Sequence, residues 1–132
     1  KAIWLVADMA YPATNIPAMA GADCLNTTQT YPQKTRWEML DPEGEYEDIY
    51  NRYCHIRASL GSKTMLELVS TDYVEVTLSP EDLKKLNIRY IVSTNDFDEK
   101  IAAGTTNIFT DSGIEFQKYY EGTQLSIYGC VY

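Results

Sequence analysis

Apolar residues run without interruption through AIWLVA (2–7), the pattern of a strand buried on both faces. From residue 55 the spacing changes. HIRASL, TMLELVS and YVEVTL read as strands, and in the last of these Tyr73, Glu75 and Thr77 alternate with Val74, Val76 and Leu78. A complete helix-to-strand unit follows in SPEDLKKLNIRYIVS (79–93). Ser79 is placed to cap, Pro80 takes the first helical position, and Glu81 and Asp82 complement the helix dipole. Leu83 and Leu86 point inward, Asn87 suits a left-handed stop, and IRYIVS leaves as a strand. The final IEFQKYYEGTQLSIYGCVY reads as a hairpin turning at Glu121-Gly122-Thr123.

Residues 8–35 are turn-rich, interrupted by Pro12, Pro17 and Pro32. NIPAMAG allows one helical turn, with Asn15 as cap and Gly21 as stop, and QKTRWEML allows a short helix. In PEGEYEDIYNRYCHI, residues Tyr46, Ile49, Tyr50 and Tyr53 recur at three and four, which predicts one helix with an aromatic stripe. The sum is an α+β fold: a mixed or antiparallel sheet, a few short helices and a loop-rich N-terminal third. No repeat or linker divides the 132 residues, so one soluble domain over 1–132 is expected. The chain opens already inside its first strand, and is read as a piece of a longer protein.

Hydrophobic content of 45% with 23% charged residues belongs to a globular fold. The net charge of −8, with scattered basic residues, argues against nucleic acid and against an anionic lipid surface. No apolar run approaches the roughly 20 residues of a membrane-spanning helix. Cys24, Cys54 and Cys130 form no C-x-x-C. They are read either as three buried free thiols or as one disulfide with a free thiol left over.

Candidate chemistry is sparse. His55 is the single histidine, so it is the centre of any triad or His-rich metal site or there is none. Its neighbour Cys54 does not make a nucleophile–base couple, because adjacent strand residues face opposite ways. His55 is therefore weighed as a catalytic, a ligand-contacting or a structural hydrogen-bonding group. Asp41, Glu43, Glu45, Glu47 and Asp48 offer oxygen ligands but lack the order of a calcium loop, and a solvated helix start accounts for them. Asp96-Phe97-Asp98 is formally a D-x-D, read chiefly as a polar turn. Asn26-Thr27-Thr28 matches the glycosylation acceptor pattern. Eleven tyrosines with Trp4 and Trp37 leave room for an aromatic binding surface. The best polar-aromatic candidate joins YPQKTRW to YNRYCH, with Trp37, Tyr50, Asn51, Arg52 and His55 as ligand-binding residues. No catalytic residue, metal ligand or cofactor is assigned.

DLKKLNIRYIVST (82–94) and FQKYYEGTQLSIYG (116–129) resemble the C-terminal end of large bacterial polytopic membrane proteins, the YfhO-type and related glycosyltransferase-like proteins. There a short helix enters a strand and a hairpin closes the domain. YPATNIPAMAG, LNTTQTYP and YNRYCHI are similar to the loop-rich start of these domains. The resemblance covers most of the chain, rests on hydrophobic patterning and carries no catalytic residue. The closing IYGCVY departs from the family's acidic ending and leaves Cys130 without a counterpart.

The resemblance implies a non-catalytic accessory domain on the extracytoplasmic face of a bacterial cell membrane. Its parent would be a polytopic protein, possessing the sugar-transfer chemistry itself. The implied partners are the parent's own transmembrane body and an envelope glycan or lipid-linked sugar. A docking module without glycan binding and a small free-standing enzyme are the alternatives.

Overall fold

The computed structural model describes residues 2–94, 96, 97, 99 and 111–132. Strand β1 spans Ile3–Val6, followed by a 3-10 turn at Ala13–Asn15 and helices α1 (Ile16–Met19), α2 (Lys34–Leu40) and α3 (Glu47–Tyr50). Strands β2 (His55–Leu60), β3 (Met65–Ser70) and β4 (Tyr73–Leu78) come next, then helix α4 (Pro80–Lys85) and β5 (Ile88–Thr94). The hairpin β6 (Glu115–Glu121) and β7 (Leu125–Val131) closes the chain. The fold is α+β, as its pattern predicts, with two mixed sheets ordered β1-β5-β7-β6 and β2-β4-β3.

The α4 unit forms by the rules its sequence suggests. Ser79 Oγ accepts from the Asp82 amide at 3.2 Å, Pro80 opens the helix, and Asn87 adopts φ 57° just after it. Leu83 and Leu86 are buried in the main core, which also takes Leu5, Ile56, Val74, Val76, Leu78, Ile88 and Ile91. Val6 and Val92 face the other way, into a second cluster with Cys24. Both faces of β1 and β5 are thus covered, which is why AIWLVA is apolar without alternation. Sheet β2-β4-β3 buries one face only, and its other face carries His55, Arg57, Tyr73 and Glu75.

The two sheets meet edge to edge. Ala7 and Ala58 form a parallel bridge, and the Asp8 amide donates to the Ala58 carbonyl at 2.8 Å. The free edge of β1 is first paired by backbone, Trp4 N to Asp23 O at 2.8 Å and Leu25 N to Trp4 O at 2.9 Å. One step further the Asn26 side chain replaces the strand. Its Oδ1 accepts from Val6 N (2.9 Å), and its Nδ2 donates to Val6 O (2.7 Å) and to Ile56 O on β2 (3.3 Å). Asn26 is 0% exposed. Asn26 of the Asn-Thr-Thr acceptor pattern thus has its side-chain amide committed to backbone in the folded chain.

Two local expectations change. Asn15 does not cap α1; its Oδ1 accepts from the Thr28 amide (2.7 Å) and its Nδ2 donates to Thr28 Oγ1 (3.0 Å). The striped helix over 42–56 shrinks to Glu47–Tyr50 because side chains satisfy the backbone at both ends. The Asp41 carboxylate accepts the amides of Glu45 and Tyr46 (2.9 and 2.8 Å), fixing a turn before α3. After it, Arg52 donates to the carbonyls of Asp48 and Ile49 (2.7 and 2.9 Å). Tyr50 remains buried, while Tyr53 leaves the stripe for the surface.

Candidate functional site

The five residues singled out from sequence do not form one surface. Trp37 and Tyr50 are 3% and 6% exposed, with rings stacked 4.9 Å apart at 6° in the core. Their faces are not available to a sugar, which corrects that part of the expected patch. Arg52 spends its guanidinium on the backbone of α3 and on the Thr71 carbonyl (3.0 Å). Asn51 is exposed at the end of α3. His55 lies on the open face of the second sheet, beside Tyr11 and Tyr53.

Segment YPQKTRW does line a concavity, but with LNTTQT rather than with YNRYCH. A cleft of about 260 Å³ is walled by Cys24, Leu25 and Thr27–Tyr31 on one side and by Gln33, Arg36 and Trp37 on the other. Gln29 builds its floor. Its Nε2 donates to the carbonyls of Tyr50 and Arg52, both at 2.7 Å, and its Oε1 accepts from Trp37 Nε1 at 2.7 Å. Its backbone forms an antiparallel bridge to Cys54. Gln29 thus ties the loop, α2 and the end of α3 together, and fixes the indole that borders the cleft.

The cleft has a mixed polar and apolar lining and is close to electrically neutral. Arg36 Nη2 meets the Asp23 carboxylate at 2.5 Å, so the guanidinium is already matched. Thr27 Oγ1 is buried and bonds the Cys24 sulfur. The nearby Cys24 thiol, a weak donor, is directed to Asn26 Oδ1 (3.5 Å) and the Thr14 carbonyl (3.9 Å). A wider depression of about 660 Å³ lies at the start of α4. Two of its polar groups are spent on structure: Thr64 Oγ1 bonds both the Ser79 amide (3.0 Å) and Ser79 Oγ (3.1 Å).

The groups with chemical potential are poorly placed for covalent work. Cys24, Cys54 and Cys130 are free and buried. Burial pushes the Cys24 thiol up, the Cys54 thiol up to about 11 and the Cys130 thiol up to about 12. His55 Nδ1 is held 3.0 Å from Thr28 Oγ1, and Cys54 Sγ lies instead beside Gln29 Nε2 (3.6 Å). Among the described residues no three His, Cys, Asp or Glu side chains converge to hold a metal ion. In the acidic run, both oxygens of Asp41 are taken by backbone amides. Asp96 is exposed and accepts from Thr94 Oγ1, while Asp98 of the D-x-D lies outside the described residues.

The thiols give a direct test. At about pH 8 all three are expected to resist iodoacetamide in the native chain and to react once it is denatured, because the thiolate is the attacking species. Peptide mapping by mass spectrometry reads this. Unfolded thiols ionise near their ordinary value of 9.0, whereas Cys54 and Cys130 hold their protons to about 11 and about 12 when folded. The stability due to these protonated thiols is therefore complete below about pH 9 and is lost as pH rises through 11 to 12. Urea midpoints measured across that window should fall steadily.

The chain matches the family described as a domain of unknown function, DUF7654, over residues 1–132. It belongs to that family. No curated protein and no solved structure matches it. Among the described residues no helix of this DUF7654 domain is long and apolar enough to cross a membrane.

Proposed function

We propose that this chain is a non-catalytic recognition domain that binds an uncharged cell-envelope glycan. In this reading it is an extracytoplasmic accessory part of a bacterial polytopic membrane protein of the YfhO-type, glycosyltransferase-like class, and it packs against the parent's transmembrane body. The resemblance of residues 82–94 and 116–129 supports the parentage, and both stretches fold as the helix–strand unit and closing hairpin that it implies.

One observation carries the ligand class: an electrically neutral cleft bordered by the hydroxyls and carboxamides of threonine and glutamine side chains. Such groups carry no charge and both donate and accept, which matches the hydroxyls of a sugar. Gln33, Thr28 and Thr30 line the same cleft with further donors and acceptors. The Asp23–Arg36 pair removes the net positive charge that would select a phosphate or a uronic acid.

Thr30→Val combined with Gln33→Ala tests this, since both side chains line the cleft and are exposed. The account predicts little change in stability and about tenfold weaker binding of the best-bound sugar in a titration series. Equal binding by the variant would remove these side chains, and with them the cleft, from the ligand contact.

A second reading, docking without glycan, is favoured by β3. At the edge of its sheet among the described residues, this strand exposes Met65, Leu68 and Val69, and a sheet edge with apolar side chains is a template for another chain. On that reading Met65→Lys and Val69→Lys abolish association with the parent's membrane body in a pull-down, and no sugar binds.

A further inference from the structure

The cleft leaves unused a cluster of rings just beyond its Thr28 wall. Thr28 Oγ1 is 3.0 Å from His55 Nδ1, and the Tyr11 ring lies against that imidazole, with centroids 4.0 Å apart at 34°. Tyr53 meets His55 edge-on at 5.6 Å and 74°, and Tyr73 lies 6.2 Å away. The cluster is held in place: the Tyr73 hydroxyl accepts from the Tyr11 amide at 3.4 Å, and Asn15 braces Thr28 from behind. Yet Tyr11 and Tyr53 remain 49% and 51% exposed. The bordering charges match one another, with Arg57 Nη1 3.8 Å from Glu75 and Arg57 Nη2 3.5 Å from the Asp8 carbonyl.

We infer that the Tyr11–His55–Tyr53 cluster is a second subsite, taking the sugar ring that follows the one in the cleft. The chain then reads the end of a neutral oligosaccharide of two or more residues. This rests on the glycan reading of the cleft. Tyrosine rings offer large, rigid contact area at small entropic cost, because only two side-chain torsions are frozen. The exposed parts of the Tyr11 and Tyr53 rings suit the C–H face of a pyranose, and their phenol groups can meet its hydroxyls. The shared Thr28 wall makes cleft and shelf neighbours, so one ligand can span both.

The experiment titrates the 132-residue chain with methyl glycosides of glucose, galactose, mannose and N-acetylglucosamine, and with di- to tetrasaccharides of each, by calorimetry and ligand-observed NMR. A disaccharide is expected to bind about tenfold tighter than its methyl glycoside. Tyr11→Ala removes that gain and leaves methyl glycoside affinity unchanged. Tyr53→Ala, which breaks only the edge contact, reduces the gain in part and keeps the test open should Tyr11→Ala fail to fold. If disaccharide and methyl glycoside bind equally, or the gain survives both substitutions, the shelf is overturned and the cleft reading stands. If no sugar of any length binds, both are overturned.

Discussion

Replacing Asn26 by alanine is expected to destabilise the chain by about 3–4 kcal/mol, one of the two largest single-site effects in the molecule. The side chain is fully buried and completes the pairing of Val6 on both its amide and its carbonyl. Alanine leaves those two backbone groups orphaned between the sheets, each costing roughly 1–3 kcal/mol, and opens a small cavity besides. Asn26→Asp is expected to be worse although it is isosteric. It keeps the bond from Val6 N but turns a carboxylate oxygen toward the carbonyls of Val6 and Ile56, where a donor stood. Urea unfolding followed by circular dichroism distinguishes these variants. Against a typical total of about 5–15 kcal/mol, either loss is large.

Gln29→Ala is expected to cost about 3 kcal/mol and to disturb the cleft as well. It strips partners from Trp37 Nε1 and from the carbonyls of Tyr50 and Arg52. Tyr50 and Trp37 lie on different helices, so the loss loosens α2 from the end of α3 rather than merely softening a loop. The stack of Trp37 on Tyr50 should then become mobile, and near-ultraviolet circular dichroism should weaken before far-ultraviolet signal does. Sugar affinity should fall with it, because Gln29 and Trp37 both border the cleft. A variant that keeps native near-ultraviolet signal and full stability would show that Gln29 is not the latch.

Asn26 and Gln29 also mark the limit of what the sequence reveals. Strands β2 to β5, the α4 cap and the closing hairpin follow local rules: alternation, Ser79 and Pro80 at a helix start, Asn87 at its end, Gly122 at a turn. Nothing local says that a carboxamide in LNTTQT stands in for a strand. Its bonds to Val6 and Ile56 cross 20 and 30 residues, and the same Asn-Thr-Thr spelling suggests a surface acceptor instead. The aromatic stripe over 46–53 misleads for a related reason. Its period is helical, but Asp41, Arg52 and Gln29 supply hydrogen bonds that end the helix early, and Asp41 and Gln29 come from outside the segment.

The candidate site was legible in halves. YPQKTRW lines the cleft, because Gln33, Arg36 and Trp37 recur within one short helix and its entry. Its partner wall was hidden in a run of threonines that composition treats as loop. His55 was visible as the single histidine, yet its neighbours Tyr11 and Tyr73 are brought to it only by the sheet register and the return of the chain after β1. Burial of Trp37 and Tyr50 follows from their stacking on the core side of α2 and α3, a face that spacing alone does not identify.

The central claim, that the cleft between LNTTQT and α2 receives a neutral sugar, is tested most directly by chemical-shift mapping. The 132-residue chain, labelled with ¹⁵N, is titrated with the oligosaccharide that binds best. The account predicts saturable shifts at the amides of Thr27, Thr28, Gln33 and Arg36 and at the Trp37 indole, with β3 unmoved. Shifts confined to Met65–Ser70, or no shift at any sugar concentration, would contradict it.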